Sequence, residues 1–419
     1  MPKKIAVIAC AMALPGEKGY SRFSWLAGFL CKHGYKVDVY TSTFHHWEKS
    51  QRELDEIQAI QEKTPYRIIL VKEPGYKTNV TPRRVISHSI LSVRTAARLA
   101  REHKKEAYDL LYCVIPDNAL AARVSAFGRR KRIPVVIDIE DLWPEGMEMI
   151  VHTPLLRRIF FSPFRWYAKK AYENASAYVG TSDEFRDEPL KYHADRSKPG
   201  LTVYVGCDLD VFDAGCERYK KEVIKKPDEY WVVYAGTLGA SYDIETLIQS
   251  AQEIRRRGYD DIQFKILGGG PLREKLEAAA AGSECNVEFA GYMPYEKMAA
   301  YLKMSDITVN SFRKKAAQSI VNKVGDYLAA GKPVINTLTS PEFRRKVEQD
   351  GFGVNIEAEN ASALTEAILA FYQDPERAQA CGERARQIAA AQFDRKHSYL
   401  AIIRLIESLT GQVEENAIT

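Results

Sequence analysis

The sequence predicts an α/β protein built as two doubly wound parallel-sheet domains. Three observations carry that expectation. The chain has 419 residues, 46% hydrophobic and 27% charged, which is the length of two domains and the composition of an ordinary globular protein. Short apolar runs alternate with longer amphipathic segments along its length. The apolar runs are continuous, the pattern of strands covered on both faces by helices. This composition excludes wholesale disorder, a collagen-like repeat and a multi-span membrane protein.

In chain order, Lys4–Ala9 reads as a strand and Ser24–His33 as a helix closed by Gly34. Strands follow at Lys36–Thr41 and Arg67–Val71, then a helical segment over Ile86–Glu106, then strands at Leu110–Ile115 and Pro134–Asp138. The second half repeats the rhythm. Strands are expected at Tyr230–Ala235, Gln263–Leu267, Asn286–Ala290, Ile307–Asn310 and Pro333–Asn336. Helices are expected at Ile244–Gly258, Leu272–Ala281, Glu296–Met304 and Lys323–Ala330. The boundary falls near 205–225, with the charged segment Glu217–Glu229 as linker. The expected domains are 1–205, 206–390, and a C-terminal helical segment 391–419 able to pack back on the first domain.

The formal net charge of +5 hides an asymmetry: residues 1–200 carry a net of +10 and residues 201–419 a net of −5. A basic first half suits an anionic partner such as phosphate, an acidic lipid surface or nucleic acid. The last is excluded as a partner, because aromatics do not punctuate a basic strand face as in RNA-binding modules. Seven cysteines form no CxxC pair, the usage of a reducing compartment, and no zinc-ligand spacing is present. The apolar run Ile5–Leu14 mimics a signal peptide but is too short to span a bilayer and reads as a buried first strand.

In open parallel sheets ligands bind beyond the carboxyl ends of the strands, at helix N-termini. Four such places stand out. Pro15–Arg22 contains Gly16 and Gly19 before a helix and reads either as an anion-binding turn or as a loop needing positive φ. Asp138, Glu140 and Asp141 end a buried strand. They must be hydrogen-bonded, solvated or facing a cation or a hydroxyl-rich ligand, or act as a helix cap. Gly236-Thr237-Leu238-Gly239 and Gly268-Gly269-Gly270-Pro271 are small-residue turns opening on one sheet edge. Finally, Lys323 opens a helix with Asp326 one turn later. A cation there opposes the helix dipole, so the position is odd unless an anion binds it. The sequence lacks GxxxxGK[ST], HExxH and GxSxG motifs. Leu155–Lys170 mixes aromatics with basic residues. Arg157, Arg158, Phe160, Phe161, Arg165 and Trp166 therefore form a candidate interfacial or acceptor surface, against the alternative of core aromatics under a solvated basic face. Arg83-Arg84 and Arg129–Arg132 could add to it.

Five of these segments, in order, resemble the large retaining glycosyltransferase family four, whose GT-B architecture pairs two Rossmann-like domains across a cleft. Val205–Phe212 is similar to the family's "NGVDxxxF" segment, Val233–Gly239 to its first C-domain turn, Ile266–Leu272 to "xxGxGP" and Val287–Tyr292 to "VxFxG". Asn322–Ile335 resembles the donor-site helix "NKxxEYLAAGKPVI". The likeness is greatest to members that build bacterial surface polysaccharides.

That resemblance implies roles. Asp326 would bind the ribose hydroxyls and Gln318, eight residues earlier, would touch the sugar. Lys323, next to Asn322, would neutralise the donor diphosphate, with Gly19 against it and Arg22 near, and with Gly236, Thr237, Gly269 and Gly270 in the donor turns. Arg313 and Lys314 are further candidates to join Lys323. Glu140 and Asp141 match the family's acidic strand end and would orient the acceptor. Two departures stand out: Thr237 and Tyr242 occupy positions where the family usually has Arg and Lys, and Gln318 and Asp326 replace two glutamates. The function expected is retaining, metal-independent transfer of a sugar from a nucleotide-sugar, UDP before GDP, to a lipid-linked or glycan acceptor in cell-surface polysaccharide synthesis. No cofactor is expected. The expected location is cytoplasmic, peripheral at the inner face of the membrane. The alternatives are a nucleotide-sugar epimerase of the same fold and a non-catalytic partner subunit.

Overall fold

A computed structural model describes residues 2–17, 19, 22–79, 81–143, 153–192, 197–316 and 318–411. The chain divides into two compact units, Met1–Val203 with Tyr399–Thr419, and Tyr204–Ser398.

The first unit contains β1 (Lys4–Ile8), α1 (Arg22–Lys32), β2 (Lys36–Ser42), the short antiparallel pair β3 (Phe44–His45) and β4 (Ser50–Gln51), α2 (Leu54–Lys63) and β5 (Arg67–Val71). It continues with α3 (Pro82–Lys105), β6 (Leu110–Ile115), α4 (Asn118–Lys131), β7 (Val135–Ile139), α5 (Pro154–Phe160), α6 (Ser162–Asn174), β8 (Ala177–Gly180), α7 (Asp183–Arg186) and β9 (Gly200–Thr202). Seven strands form one parallel sheet in the order β5-β2-β1-β6-β7-β8-β9. β1, β6 and β7 are buried at every position, as continuous apolar strands with helices on both faces must be. Helix starts follow their caps: the Thr81 hydroxyl accepts from the Arg84 N–H with Pro82 in the first turn, and Asp117 accepts from the Ala119 N–H at 2.7 Å.

The second unit contains α8 (Leu209–Tyr219), β10 (Tyr230–Ala235), α9 (Ile244–Arg256), β11 (Ile262–Leu267), α10 (Arg273–Ala281), β12 (Val287–Gly291), α11 (Tyr295–Met304) and β13 (Ile307–Asn310). It ends with α12 (Lys323–Ala330), β14 (Val334–Asn336), α13 (Pro341–Asp350), β15 (Gly353–Asn355), α14 (Ala361–Gln373), α15 (Pro375–Ile388) and α16 (Arg395–Ser398). Its six-stranded sheet is parallel, in the order β12-β11-β10-β13-β14-β15. The final helix, α17 (Leu400–Thr410), belongs to the first unit. Tyr399, Ile402 and Ile406 are buried in its core with Val7 and Phe29, and Tyr399 meets Trp25 edge-on at 5.2 Å.

The charged stretch Glu217–Glu229, read as a linker, is built into the second unit. Glu217 to Tyr219 end α8, Lys225 pairs with Asp306, and Glu229 accepts from the Trp231 indole at 2.8 Å. Several of its charges are paired within that unit to partners far along the chain, Lys225 to Asp306 and Arg218 to Glu296, a feature that composition does not reveal. Among the described residues no helix is long and apolar enough to cross a membrane.

In each sheet the strand order reverses beside the first strand of the unit, between β1 and β6 and between β10 and β13. The carboxyl ends of these strands are where such sheets bind ligands.

Candidate functional site

In the second unit two glycine turns meet at that edge. Gly236, Gly268 and Gly270 have φ of +156°, +126° and +159°. A Cβ on Gly268 would lie 2.0 Å from the Gly236 carbonyl oxygen, and one on Gly270 would lie 2.4 Å from that of Leu238. The turns are joined by a hydrogen bond from the Leu238 N–H to the Gly269 carbonyl at 2.9 Å. Only glycine permits this contact at that backbone conformation.

Directly beside the first turn lies Lys323. A Cβ on Gly236 would come within 2.8 Å of its Nζ. The amine is buried and has no hydrogen-bond partner among the described residues. It is enclosed instead by three rings, with centroids at 4.1 Å (Tyr234), 4.5 Å (Tyr242) and 5.1 Å (Phe312). Burial lowers its pKa well below the ordinary lysine value, because an uncompensated ammonium is costly in such a place and ring faces repay only part of it. An incoming anion would restore the charged form.

Asp326, one turn along α12, accepts a 2.7 Å hydrogen bond from the Tyr295 hydroxyl. Burial raises its pKa to about 6, opposed by Tyr295 and by the charge of Arg395. Gln318 Oε1 is buried and unpartnered among the described residues, while Asn322 and Thr237 are exposed. Gly325 lets α12 approach the chain at 206–207, where a Cβ would sit 3.1 Å from the Gly206 backbone.

Two cations expected to join Lys323 are engaged elsewhere in this unit. Arg313 pairs with Glu245, and Lys314 with Glu357 at 2.8 Å. Their partners lie 43 residues or more away in sequence, so no local pattern announces them. Sequence reading also missed Tyr234, Phe312 and Tyr295. A signal existed in Tyr242, aromatic where the family usually has lysine, and in the oddity of a lysine opening α12.

In the first unit, Arg22, expected near the diphosphate, is completely buried. It pairs with Asp138 at 3.1 Å and with Glu140, and the Tyr112 hydroxyl donates to Asp138. The three carboxylates at the end of β7 thus divide: Asp138 and Glu140 face Arg22, whereas Asp141 accepts from the Leu142 N–H and from the Trp143 indole at 3.3 Å. Gly19, with φ of +128°, lies under the Trp47 ring, which a Cβ would meet at 2.5 Å. Of the interfacial candidates, Phe160 and Trp166 are 61% and 55% exposed. Arg158 is exposed, and Arg157 and Arg165 are half-buried. Phe161 is buried at the α5–α6 junction, edge-on to Phe160 and Phe164, where it lines a cavity and is not exposed as Phe160 and Trp166 are. Among the described residues no three His, Cys, Asp or Glu side chains converge as a metal site requires.

Two family models match the chain: Glycosyltransferase Family 4 over residues 26–211 and Glycosyl transferases group 1 over 216–388. Curated relatives include an alpha-D-kanosaminyltransferase of Streptomyces kanamyceticus, 24% identical over 58% of this chain and 62% of that protein. Another is a GDP-mannose-dependent phosphatidylinositol monomannoside mannosyltransferase of Mycolicibacterium smegmatis, 30% identical over 50% of this chain and 56% of that one. The matched stretches thus span less than two thirds of these relatives' length. Among solved structures, sucrose-phosphate synthase of Thermosynechococcus elongatus matches with a TM-score of 0.70 at 18% identity, covering 98% of this chain and 99% of that one. Anabaena HepE, solved in complex with UDP, matches at 0.69 and 13% identity, covering 97% and 100%. These likenesses establish the fold, that of the GT-B glycosyltransferases. With both halves matched by consecutive family models, the chain belongs to the family 4, group 1 glycosyltransferases.

Proposed function

We propose that the chain transfers a sugar, with retention of configuration, from a nucleotide-sugar donor to a lipid-linked or glycan acceptor in cell-surface polysaccharide synthesis, working at the inner face of the membrane. A UDP-sugar is the favoured donor. The carrying observation is the Lys323 amine beside the Gly236 turn, buried and without a hydrogen-bond partner among the described residues. A site of this kind holds a cation back until an anion arrives. The HepE complex with UDP and the GDP-mannose-dependent relative support a nucleoside diphosphate as that anion.

Transfer requires a stabilised leaving group, a held sugar and an oriented acceptor hydroxyl. Lys323 and the backbone of the glycine turns meet the charge that develops on the diphosphate, with no metal. Asp326 accepts from the ribose hydroxyls, since a carboxylate offers lone pairs beyond the one Tyr295 uses. The leaving phosphate takes the acceptor proton, and Glu140 and Asp141 orient the acceptor. Arg22 is a positioning residue that holds Glu140.

The test is release of free UDP or GDP from a donor panel with cell-envelope acceptors. Turnover should be acceptor-dependent and fall about 10²- to 10³-fold in Lys323→Ala, as loss of one charge-stabilising contact does. An unchanged rate in that variant removes Lys323 from the reaction. Conversion of the donor to an epimer without transfer would replace the proposal by an epimerase.

A further inference from the structure

The first unit contains a cavity of about 600 Å³ at the start of α3, bounded by α3 and the α5–α6 pair. Its walls include Val85, Ile86, Phe160, Phe164 and Trp143, with Arg84 and Asp117 among its polar members. The volume suits one drug-sized molecule or chain. Its surroundings are apolar as well. Leu155, Leu156, Ile159 and Phe160 of α5 are 58–67% exposed, and Ile86 of α3 is 59% exposed. Scattered apolar residues are ordinary on a surface, but a cluster around a cavity marks a binding place.

The charge beside the cavity is positive. The first turn of α3 carries Arg83 and Arg84 and no acid, an arrangement that opposes the helix dipole. The Arg84 Nε is buried without an acceptor among the described residues. Its guanidinium lies 4.6 Å from the Trp143 ring. α5, whose Phe160 lines the cavity, also carries Arg157 and Arg158. Asp117 also lines the cavity: one of its oxygens caps α4, and the other is buried with no hydrogen-bond partner among the described residues, 3.7 Å from His88. Burial raises its pKa to about 6, so its carboxyl is drawn toward the neutral form and opposes an anion less than a free carboxylate would.

An apolar chamber beside a basic helix start fits an amphiphile with an anionic head. We propose that this cavity holds the hydrocarbon chain of a phosphate-bearing lipid acceptor, with its phosphate at the first turn of α3 beside Arg84. This deepens the proposed function and rests on it for the occupant's role as acceptor. Trp143 connects the two. Its indole forms part of the cavity wall and donates to Asp141, so a lipid held here brings its head to the acidic end of β7.

The experiment titrates the full chain with octyl, decyl and dodecyl phosphate below their micellar concentrations, by calorimetry. Binding should saturate at one chain per protein. Affinity should rise about fourfold per methylene, which corresponds to the ~0.8 kcal/mol of one buried CH₂. Ser89→Trp, which fills the cavity from the exposed side of α3, and Val85→Lys, which places a charge on its wall, should each weaken dodecyl phosphate at least tenfold. Arg84→Gln should weaken it several-fold. UDP should stabilise the Ser89→Trp and Val85→Lys variants as it does the wild type. Affinity independent of chain length, or unchanged in both cavity variants, overturns the proposal. So does binding to phosphatidylglycerol vesicles that survives both variants with no uptake of dodecyl phosphate, because the surface then only touches a membrane. Chain-length-dependent binding with no response to UDP or GDP would leave the cavity assignment standing and remove the donor assignment instead.

Discussion

Arg22 and Lys323 are both cations taken out of water at the carboxyl edge of a parallel sheet, and they have been treated in opposite ways. Arg22 is met by two carboxylates. Lys323 is met by three aromatic rings and, among the described residues, by no acceptor. A buried cation met by carboxylates contributes to structure. One left without an anion is disfavoured in the charged state until a ligand supplies the missing charge. The contrast separates a positioning arginine from a ligand-seeking lysine, although in both places the sequence shows only a basic residue at a helix start.

Substitutions sharpen the contrast. Arg22→Met should cost about 3–5 kcal/mol of stability by leaving Asp138 and Glu140 without their cation, readable by urea unfolding. Lys323→Met should cost less than ~1 kcal/mol of stability, since a thioether suits an aromatic box, while raising the transfer barrier by about 2–4 kcal/mol. Equal stability losses in the two variants would erase the distinction. Gly268→Ala should destabilise by at least ~1–2 kcal/mol from its positive φ alone, with nucleotide binding lost as the Gly236 turn is pushed aside. Tyr295→Phe is the mildest, about 1 kcal/mol. The hydroxyl lowers the Asp326 pKa, so its loss should raise it above the present value of about 6. The weakening of nucleotide binding in acid should then begin at higher pH, measured as Kd against pH.

Leu110–Ile115 and Tyr230–Ala235 were legible because they are buried on both faces, and the edge strand Arg67–Val71, only partly buried, still falls where its apolar run places it. Helix α12 was legible to the residue, from Lys323 to Ala330. Partnerships across the fold were not legible. Arg22 and Glu140 stand 118 residues apart, and nothing local tells a basic residue whether a carboxylate awaits it. The burial of Phe161 beside the exposed Phe160 depends on the break between α5 and α6. The aromatic box was half legible. Tyr242 stood out as a departure from the family pattern, but nothing in the sequence singled out Tyr234 or Phe312.

The pH behaviour of Lys323 follows with a definite sign. Its folded pKa lies below the unfolded value, so its contribution to stability is complete only above the ordinary lysine pKa and is lost as pH falls toward the folded one. A bound diphosphate raises that pKa again, so binding takes up a proton and weakens as pH rises. The decisive measurement is calorimetric titration with UDP and GDP at mildly alkaline pH in buffers of different ionisation enthalpy. Net proton uptake is expected in the wild type and its disappearance in Lys323→Met, together with weakened binding. Tight nucleotide binding in both proteins with the same proton balance would contradict the assignment of this lysine to the diphosphate.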